Sequence, residues 1–277
     1  MSKIIAVANQ KGGVGKTTTC INLSSFVAAM GKKTLMVDID PQGNCTSGVG
    51  ISKHDLKQSI YSVLVGDCSA RDAIVHTSVP GQDILPSNID LAGAEIELIK
   101  VPSREKVLRK VLQPLKNKYD YIFIDCPPSL ALLTVNALTA ADSILIPIQG
   151  EFFALEGLSQ LMNTIKLAKK HLNPTLEVEG VLLTMYDGRS NLVASVTSEI
   201  IKYFGKKVFT HRIPRNVKLG EAPSYGMPIM QFEPRCSGSI AYKAFAEEFL
   251  ERNNDTTYTK ITNMSALRRK IPKNNQE

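Results

Sequence analysis

Lys11-Gly-Gly-Val-Gly-Lys-Thr-Thr18 follows directly on the apolar run Ile4-Ile5-Ala6-Val7-Ala8. A buried strand, a glycine-rich turn and a helix start, in that order, make a phosphate cradle. Glycines let the backbone curl until several N–H groups face one anion, and Gly12, Gly13, Val14 and Gly15 form that curl. Lys16 reaches the β- and γ-phosphates and the Thr17 hydroxyl ligates Mg²⁺. The helix opening at Thr17 and Thr18 adds its positive end. One position departs from the usual GxxxxGK[ST] pattern, which has glycine where this chain has Gln10. A second lysine, Lys11, follows it. A cradle already served by Lys16 has no need of another cation for its own anion, so Lys11 points to a different phosphate, for which a second subunit is one source.

The rest of the chain supplies a frame for such a cradle. Its 277 residues are 43% hydrophobic and 21% charged, an ordinary globular balance with room for one large α/β core. The five cysteines are scattered and never paired as C-x-x-C, which reads as reduced thiols in a cytoplasmic protein. The first apolar run is too short for a signal peptide, and no stretch approaches the ~18 apolar residues of a membrane span. A net charge of +7 permits an anionic partner without requiring one.

Apolar runs alternate with amphipathic stretches as far as residue 250. Strands are expected at 4–8, 34–40, 83–86, 121–125, 143–148, 179–185 and 207–212. Helices are expected at 17–30, 104–118, 130–141, 155–171, 192–204 and 239–252. Near-continuous apolar strands alternating with helices predict one doubly wound, mostly parallel α/β sheet with helices on both faces, and the phosphate loop with its extra lysine resembles that of the deviant Walker A class of P-loop NTPases. This unit spans 1–252. Residues 253–277 carry five basic and two acidic side chains and read as a flexible basic tail. Tyr258, Ile261, Met264 and Leu267 beside Arg268-Arg269-Lys270 allow a second reading, a weak basic amphipathic helix for membrane or DNA.

Sheets of this kind bind ligands at the carboxyl ends of their strands, where Asp38, Asp40 and Asp125 stand. Asp125, after Tyr-Ile-Phe-Ile, matches the acid that holds Mg²⁺ in P-loop enzymes. Asp38 and Asp40, two apart, share a strand face. Hydrolysis of a γ-phosphate needs an oriented water and cations to absorb developing charge. Asp40 is assigned to the water, Thr17 and Asp125 to Mg²⁺, Asp38 to support of the metal shell, and Lys16 to charge stabilisation. A strand-end Asp standing alone would read equally well as a turn or helix cap. Cys126 reads as a small packing residue rather than a redox group.

With these come Val37-Asp-Ile-Asp-Pro-Gln-Gly-Asn44, Ile124-Asp-Cys-Pro-Pro-Ser129, Leu91-Ala-Gly-Ala-Glu-Ile-Glu-Leu98, Ala154-Leu-Glu-Gly-Leu-Ser-Gln160, Leu183-Thr-Met-Tyr-Asp-Gly-Arg189, Ile213-Pro-Arg-Asn-Val217 and Glu221-Ala-Pro223. Over nearly all of residues 1–250 the chain resembles the ParA-type chromosome-partitioning ATPases, and among them the chromosomal Soj proteins. The resemblance implies weak ATP hydrolysis with Mg²⁺ and a sandwich dimer formed around two ATP molecules. It gives Lys11 a catalytic reach into the partner's phosphates and sets Gly12 where the two loops meet. It implies non-specific binding of double-stranded DNA by the dimer, and release on hydrolysis stimulated by a ParB-type centromere-binding protein. By the same resemblance Pro214 and Asn216 belong to the adenine pocket, and Arg189 and Lys218 to the DNA surface. Arg215, Arg235 and Lys243 are weaker candidates, each also readable as a solvated charge. Lys218 stands where close relatives carry arginine. The expected setting is cytoplasmic and nucleoid-associated, without stable membrane association.

Three other readings fit less of the chain. A MinD-like division-site ATPase shares the frame but ends in a basic amphipathic helix that this tail imitates poorly. An iron–sulfur reductase needs cysteines that bracket a cluster, and Cys126 is misplaced for that. A nucleotide-gated repressor needs an added N-terminal DNA-binding region, for which a chain opening on its first strand is expected to leave no room.

Overall fold

The computed structural model describes residues 2–151 and 154–270. Its strands are β1 (Lys3–Val7), β2 (Thr34–Asp38), β3 (Val75–His76), β4 (Gln82–Leu85), β5 (Tyr121–Asp125), β6 (Ser143–Gln149) and β7 (Glu177–Thr184). The helices are α1 (Lys16–Ala29), α2 (Asn44–Gly48), α3 (Ile60–Val65), α4 (Ala70–Ala73), α5 (Leu91–Glu97), α6 (Val107–Leu112), α7 (Leu132–Ala140), α8 (Ala154–His171), α9 (Asn191–Phe204), α10 (Val217–Glu221), α11 (Ile229–Phe232) and α12 (Ser237–Arg252). One sheet carries all seven strands in the order β3-β4-β2-β5-β1-β6-β7. Every pairing is parallel except that of β3 with β4.

The expected doubly wound sheet is therefore present. Alternation along each strand explains why both faces are covered. Ile4 and Ala6 enter one core with Leu35, Val37, Ile122 and Ile124, while Ile5 and Val7 enter the other with Met36, Phe123 and Leu145. The chain leaves β1 for β2, returns to place β5 between them, then crosses β1 to lay down β6. The carboxyl end of β1 thus lies at the switch point of the sheet, where such folds open a crevice for a ligand.

Three expectations differ from what is found. Residues 104–118 form no continuous helix: α6 lies between 3₁₀ turns at Arg104–Lys106 and Gln113–Leu115, and Pro114, which has no N–H to continue the ladder, sits in the second. Residues 207–212 make no strand but run beside β7, where the Phe209 and Ile213 N–H groups donate to Val181 and Leu183 carbonyls at 2.9 Å each. The segment from 253 to 270, read as a flexible tail, lies against the domain. Asp255 pairs with Lys32 at 2.5 Å and the Thr259 N–H donates to the Met30 carbonyl at 2.9 Å. Residues 271–277 fall outside the described residues. Among the described residues no helix is long and apolar enough to cross a membrane.

One contact seats α2 beneath the crevice. Gly50 (φ 86°) and Gly226 (φ 62°) both adopt left-handed backbone, and a Cβ on Gly226 would fall 2.5 Å from Gly50 Cα. Backbone meets backbone there, so nothing flexible can yield. Gly226→Ala is expected to lower stability by about 2–3 kcal/mol, combining left-handed strain with overpacking. Urea denaturation measures it, and an unchanged midpoint would deny the contact any structural weight.

Candidate functional site

The cradle is built as its spacing implies. Gly13 (φ 73°) and Gly15 (φ 86°) take left-handed conformations on either side of buried Val14. The Thr184 hydroxyl at the end of β7 fixes this turn by donating to the Val14 carbonyl at 2.8 Å. Asn9 fixes its start, donating to the Pro147 carbonyl at 2.7 Å and accepting from the Lys11 N–H at 3.1 Å. No side chain caps α1 and no acid sits in its first turn. Its leading N–H groups are left to an anion.

The two lysines of the loop lie in different places. Lys16 is buried, and its ammonium curls back to the Lys11 carbonyl at 3.0 Å. Burial pulls its pKa down, while the nearby Asp125 and Asp40 charges pull it up. Lys11 instead pairs with Glu151, at the end of the segment leaving β6. Gly12 has neither a left-handed φ nor a close neighbour: a Cβ there would meet nothing within 4 Å. No contact among the described residues accounts for a glycine at that position.

Beneath the cradle stand the carboxylates. Asp38 and Asp125 are paired in register on β2 and β5, and both are fully buried. The two do not share a role. Asp38 accepts from the Thr46 N–H at 2.9 Å, the Thr46 hydroxyl at 2.7 Å and the Asp40 N–H at 3.2 Å. Burial pushes its pKa up to about 6 despite the Thr46 hydrogen bonds. Neither Asp125 oxygen has a hydrogen-bond partner among the described residues. Burial raises its pKa well above the usual range, the Asp38 charge adds to this, and Thr17 and Lys16 oppose it. An orphaned buried carboxylate beside a threonine hydroxyl is the donor chemistry of a hard divalent cation. The residues present therefore fit Mg²⁺ through Thr17 and Asp125. Asp38, expected at the metal shell, has its oxygens engaged in holding α2 and the Asp40 loop.

Asp40 is 8% exposed at the crevice. One of its carboxylate oxygens accepts from the Gln42 N–H at 2.9 Å, and its carbonyl accepts from Ser87 Oγ at 2.8 Å. The second carboxylate oxygen accepts nothing from the described residues, so it is available to a water.

A cleft of about 470 Å³ opens beside the cradle, lined by Gly15, Thr18, Met185, Pro214, Asn216 and Tyr242 among others. Pro214 and Asn216 thus lie within reach of a base whose phosphates sit in the loop. The Asn216 side chain also caps α10, accepting from the Lys218 N–H at 2.8 Å. Neither Arg189 nor Lys218 lines the cleft, although Val217 and Leu219 on either side of Lys218 do. Arg189 forms a two-pronged pair with Asp187 at 2.9 Å, which holds the Asp187 carboxyl well below the usual range. Lys218 pairs with Glu221 at 2.7 Å. Arg215 lines the cleft, Arg235 donates to Ser265 at 2.7 Å, and Lys243 pairs with Glu247 at 2.8 Å along α12.

Sequence reasoning missed Glu151, Thr46 and Thr184. Thr46 and Thr184 follow strand-end motifs and could have been suspected as loop anchors. Nothing in local spacing ties Glu151 to a lysine 140 positions earlier.

Known proteins share this arrangement. A family model described as AAA domain matches residues 2–178. The sporulation initiation inhibitor protein Soj of Bacillus subtilis (strain 168) is 57% identical over 248 residues, covering 90% of this chain and 98% of its own. The chromosome partitioning protein ParA of Caulobacter vibrioides (strain NA1000 / CB15N) is 49% identical over 255 residues, covering 91% and 96%. A crystal structure of cobyrinic acid a,c-diamide synthase from Mycobacterium smegmatis, with bound ADP and magnesium, has a TM-score of 0.81 at 36% identity, covering 95% of this chain and 100% of that one. With its phosphate loop at the switch point, its buried acid pair and relatives of this identity, the chain belongs to the ParA/Soj family of chromosome-partitioning P-loop ATPases.

Proposed function

We propose that the chain binds ATP with Mg²⁺, pairs with a second copy around two nucleotides, holds double-stranded DNA without sequence preference while the ATP is intact, and lets go on hydrolysis. The observation that carries this reading is the separation of the two lysines. Lys16 fills the chain's own cradle, whereas Lys11 is drawn out to Glu151 beside a glycine with open space around it. A cation parked on a half-exposed carboxylate can be transferred to a stronger anion. Two like-facing loops, each with Gly12 at the point of approach, bring that anion from the partner.

The chain's own residues then divide the reaction. Lys16 and the α1 N-terminus hold the β- and γ-phosphates. Asp40 orients a water in line with the γ-phosphorus through its unengaged oxygen. Lys11 of each copy neutralises charge developing on the other copy's nucleotide. Thr17 and Asp125 hold Mg²⁺, which when bound neutralises the phosphate oxygens it touches. Hydrolysis is slow until a ParB-type protein engages the dimer. The setting is the cytoplasm, on the nucleoid.

Asp40→Ala is expected to slow ATP turnover by about 10²–10⁴-fold while dimer and DNA complex persist with ATP. Size-exclusion chromatography with and without duplex DNA, beside phosphate release, measures both, and normal turnover would remove Asp40 from the role. Lys11→Ala is expected to keep ATP binding within a few-fold and to abolish ATP-dependent pairing. Pairing that survives would leave only a nucleotide pocket.

Arg189→Glu reverses an exposed charge and places it against Asp187. DNA affinity is expected to fall about 10-fold or more at low salt, with nucleotide binding intact. Retention on DNA-coated surfaces equal to wild type would exclude Arg189 from the DNA surface.

A further inference from the structure

Residues 255–270 cross the domain as a strap. It is anchored at its start by the Asp255–Lys32 pair and by the Tyr121 hydroxyl, which donates to Asp255 at 3.0 Å. At its far end the Arg269 N–H donates to the Gln231 carbonyl of α11 at 3.0 Å. Tyr258, Ile261, Met264 and Leu267 recur every third residue, and all four pack onto the core of the α1–α12 face. With that stripe turned inward, Arg268, Arg269 and Lys270 are left exposed.

These cations arrive beside others. Arg268 reaches Glu233 at 3.5 Å, and the charge of Glu233 also bears on Lys218. Lys218 lies 5.9 Å above the ring of Phe232, one residue before Glu233. Arg235 donates to Ser265 of the strap itself. Lys218, Arg235 and the basic end of the strap therefore share one patch. Among the described residues Arg235, Arg269 and Lys270 have no ion-pair partner.

We propose that Arg268, Arg269 and Lys270 form a second part of the DNA-contacting surface, gripping the phosphate backbone beside Lys218. This rests on the DNA-binding reading above. Arginine forks match phosphate oxygens in pairs, and such contacts read charge and spacing rather than base sequence. A membrane partner is disfavoured by the same geometry. Interfacial helices bury an apolar face in lipid, and here that face is already spent on the protein's own core.

The test is the salt dependence of duplex binding by the ATP-loaded protein. Each phosphate contact contributes about 0.9 to the slope of log affinity against log salt. Arg268→Gln, Arg269→Gln and Lys270→Gln together are expected to flatten that slope by roughly 2–3 per protomer and to weaken binding on the order of 100-fold near 0.1 M salt. The charge-keeping Arg268→Lys with Arg269→Lys should retain the slope. Glu233→Gln, which unloads a carboxylate from the patch, should tighten binding, so the idea stays testable even if the triple variant melts early. Wild-type protein that binds DNA with an unchanged slope in the triple variant overturns the strap proposal alone. Wild-type protein that never binds DNA with ATP overturns the reading beneath it as well. Loss of binding to phosphatidylglycerol vesicles, with the DNA slope untouched, overturns it in favour of a lipid surface.

Discussion

Two carboxylates fully out of water on adjacent parallel strands set the terms for the rest of this molecule. Asp38 and Asp125 sit opposite each other in the β2–β5 ladder, each raising the cost of charge on the other. Burying one ionised acid is costly and burying two in register is more so. The fold answers asymmetrically. Asp38 receives three hydrogen bonds from Thr46 and the Asp40 backbone, while Asp125 has no partner at hydrogen-bond geometry among the described residues and lies beside Thr17 and Lys16. A structural acid is satisfied from within the chain. An acid left unsatisfied at a strand end beneath a phosphate loop is open to a ligand, ion or water.

That asymmetry also positions the chemistry. Because Thr46 opens the path from Asp38 into α2, the loop 39–43 is held at both ends, and Asp40 rides on it. The Ser87 hydroxyl clamps the Asp40 carbonyl from β4's side, and the Thr46 hydroxyl accepts from the Ser87 N–H at 2.9 Å. Asp38, Thr46, Ser87 and Asp40 thus form one closed network of short buried bonds, which holds the Asp40 carboxylate far more firmly than an exposed loop would.

The sequence made the sheet legible because β1, β2, β5 and β6 are buried on both faces and read as unbroken apolar runs. The phosphate loop was legible because glycine spacing has a geometric meaning. Between 44 and 100 the strand expected at 83–86 is found as Gln82–Leu85, but the helices were not legible, being four to seven residues long and too short to show a period. Residues 207–212 read as strand around the β-favouring run Val208-Phe209-Thr210, yet they donate to β7 without completing a ladder. In the last segment the three-residue apolar stripe was visible as a pattern, but a pattern does not say which surface receives it. The stripe falls in a segment that reads as a flexible tail, or else as a weak amphipathic helix for membrane or DNA, and is instead packed on the core that α1 and α12 share. Glu151 shows the same limit from the other side: a pairing across 140 residues leaves no local trace.

The short helix α10 has two faces with different duties, and one side chain serves both. Asn216 lines the cleft beside Gly15 and Thr18, and its carboxamide oxygen fixes the Lys218 N–H at 2.8 Å. Its amide nitrogen donates to Ser237 at 2.7 Å, at the start of α12. Further along α12 the Tyr242 hydroxyl meets Thr19 of α1 at 3.0 Å. The placement of a cation on the basic patch is therefore set by a residue of the cleft wall. A helix of five residues has little stability of its own. Its position is borrowed from the cap, from Leu219 against Gly238 and from the pairing of Lys218 with Glu221. Exposed pairs of that kind contribute little net energy and are readily exchanged for another anion. What keeps Lys218 in place is thus the cap at Asn216 rather than its own salt bridge, and a change at that point of the cleft wall is felt two residues away at the charge.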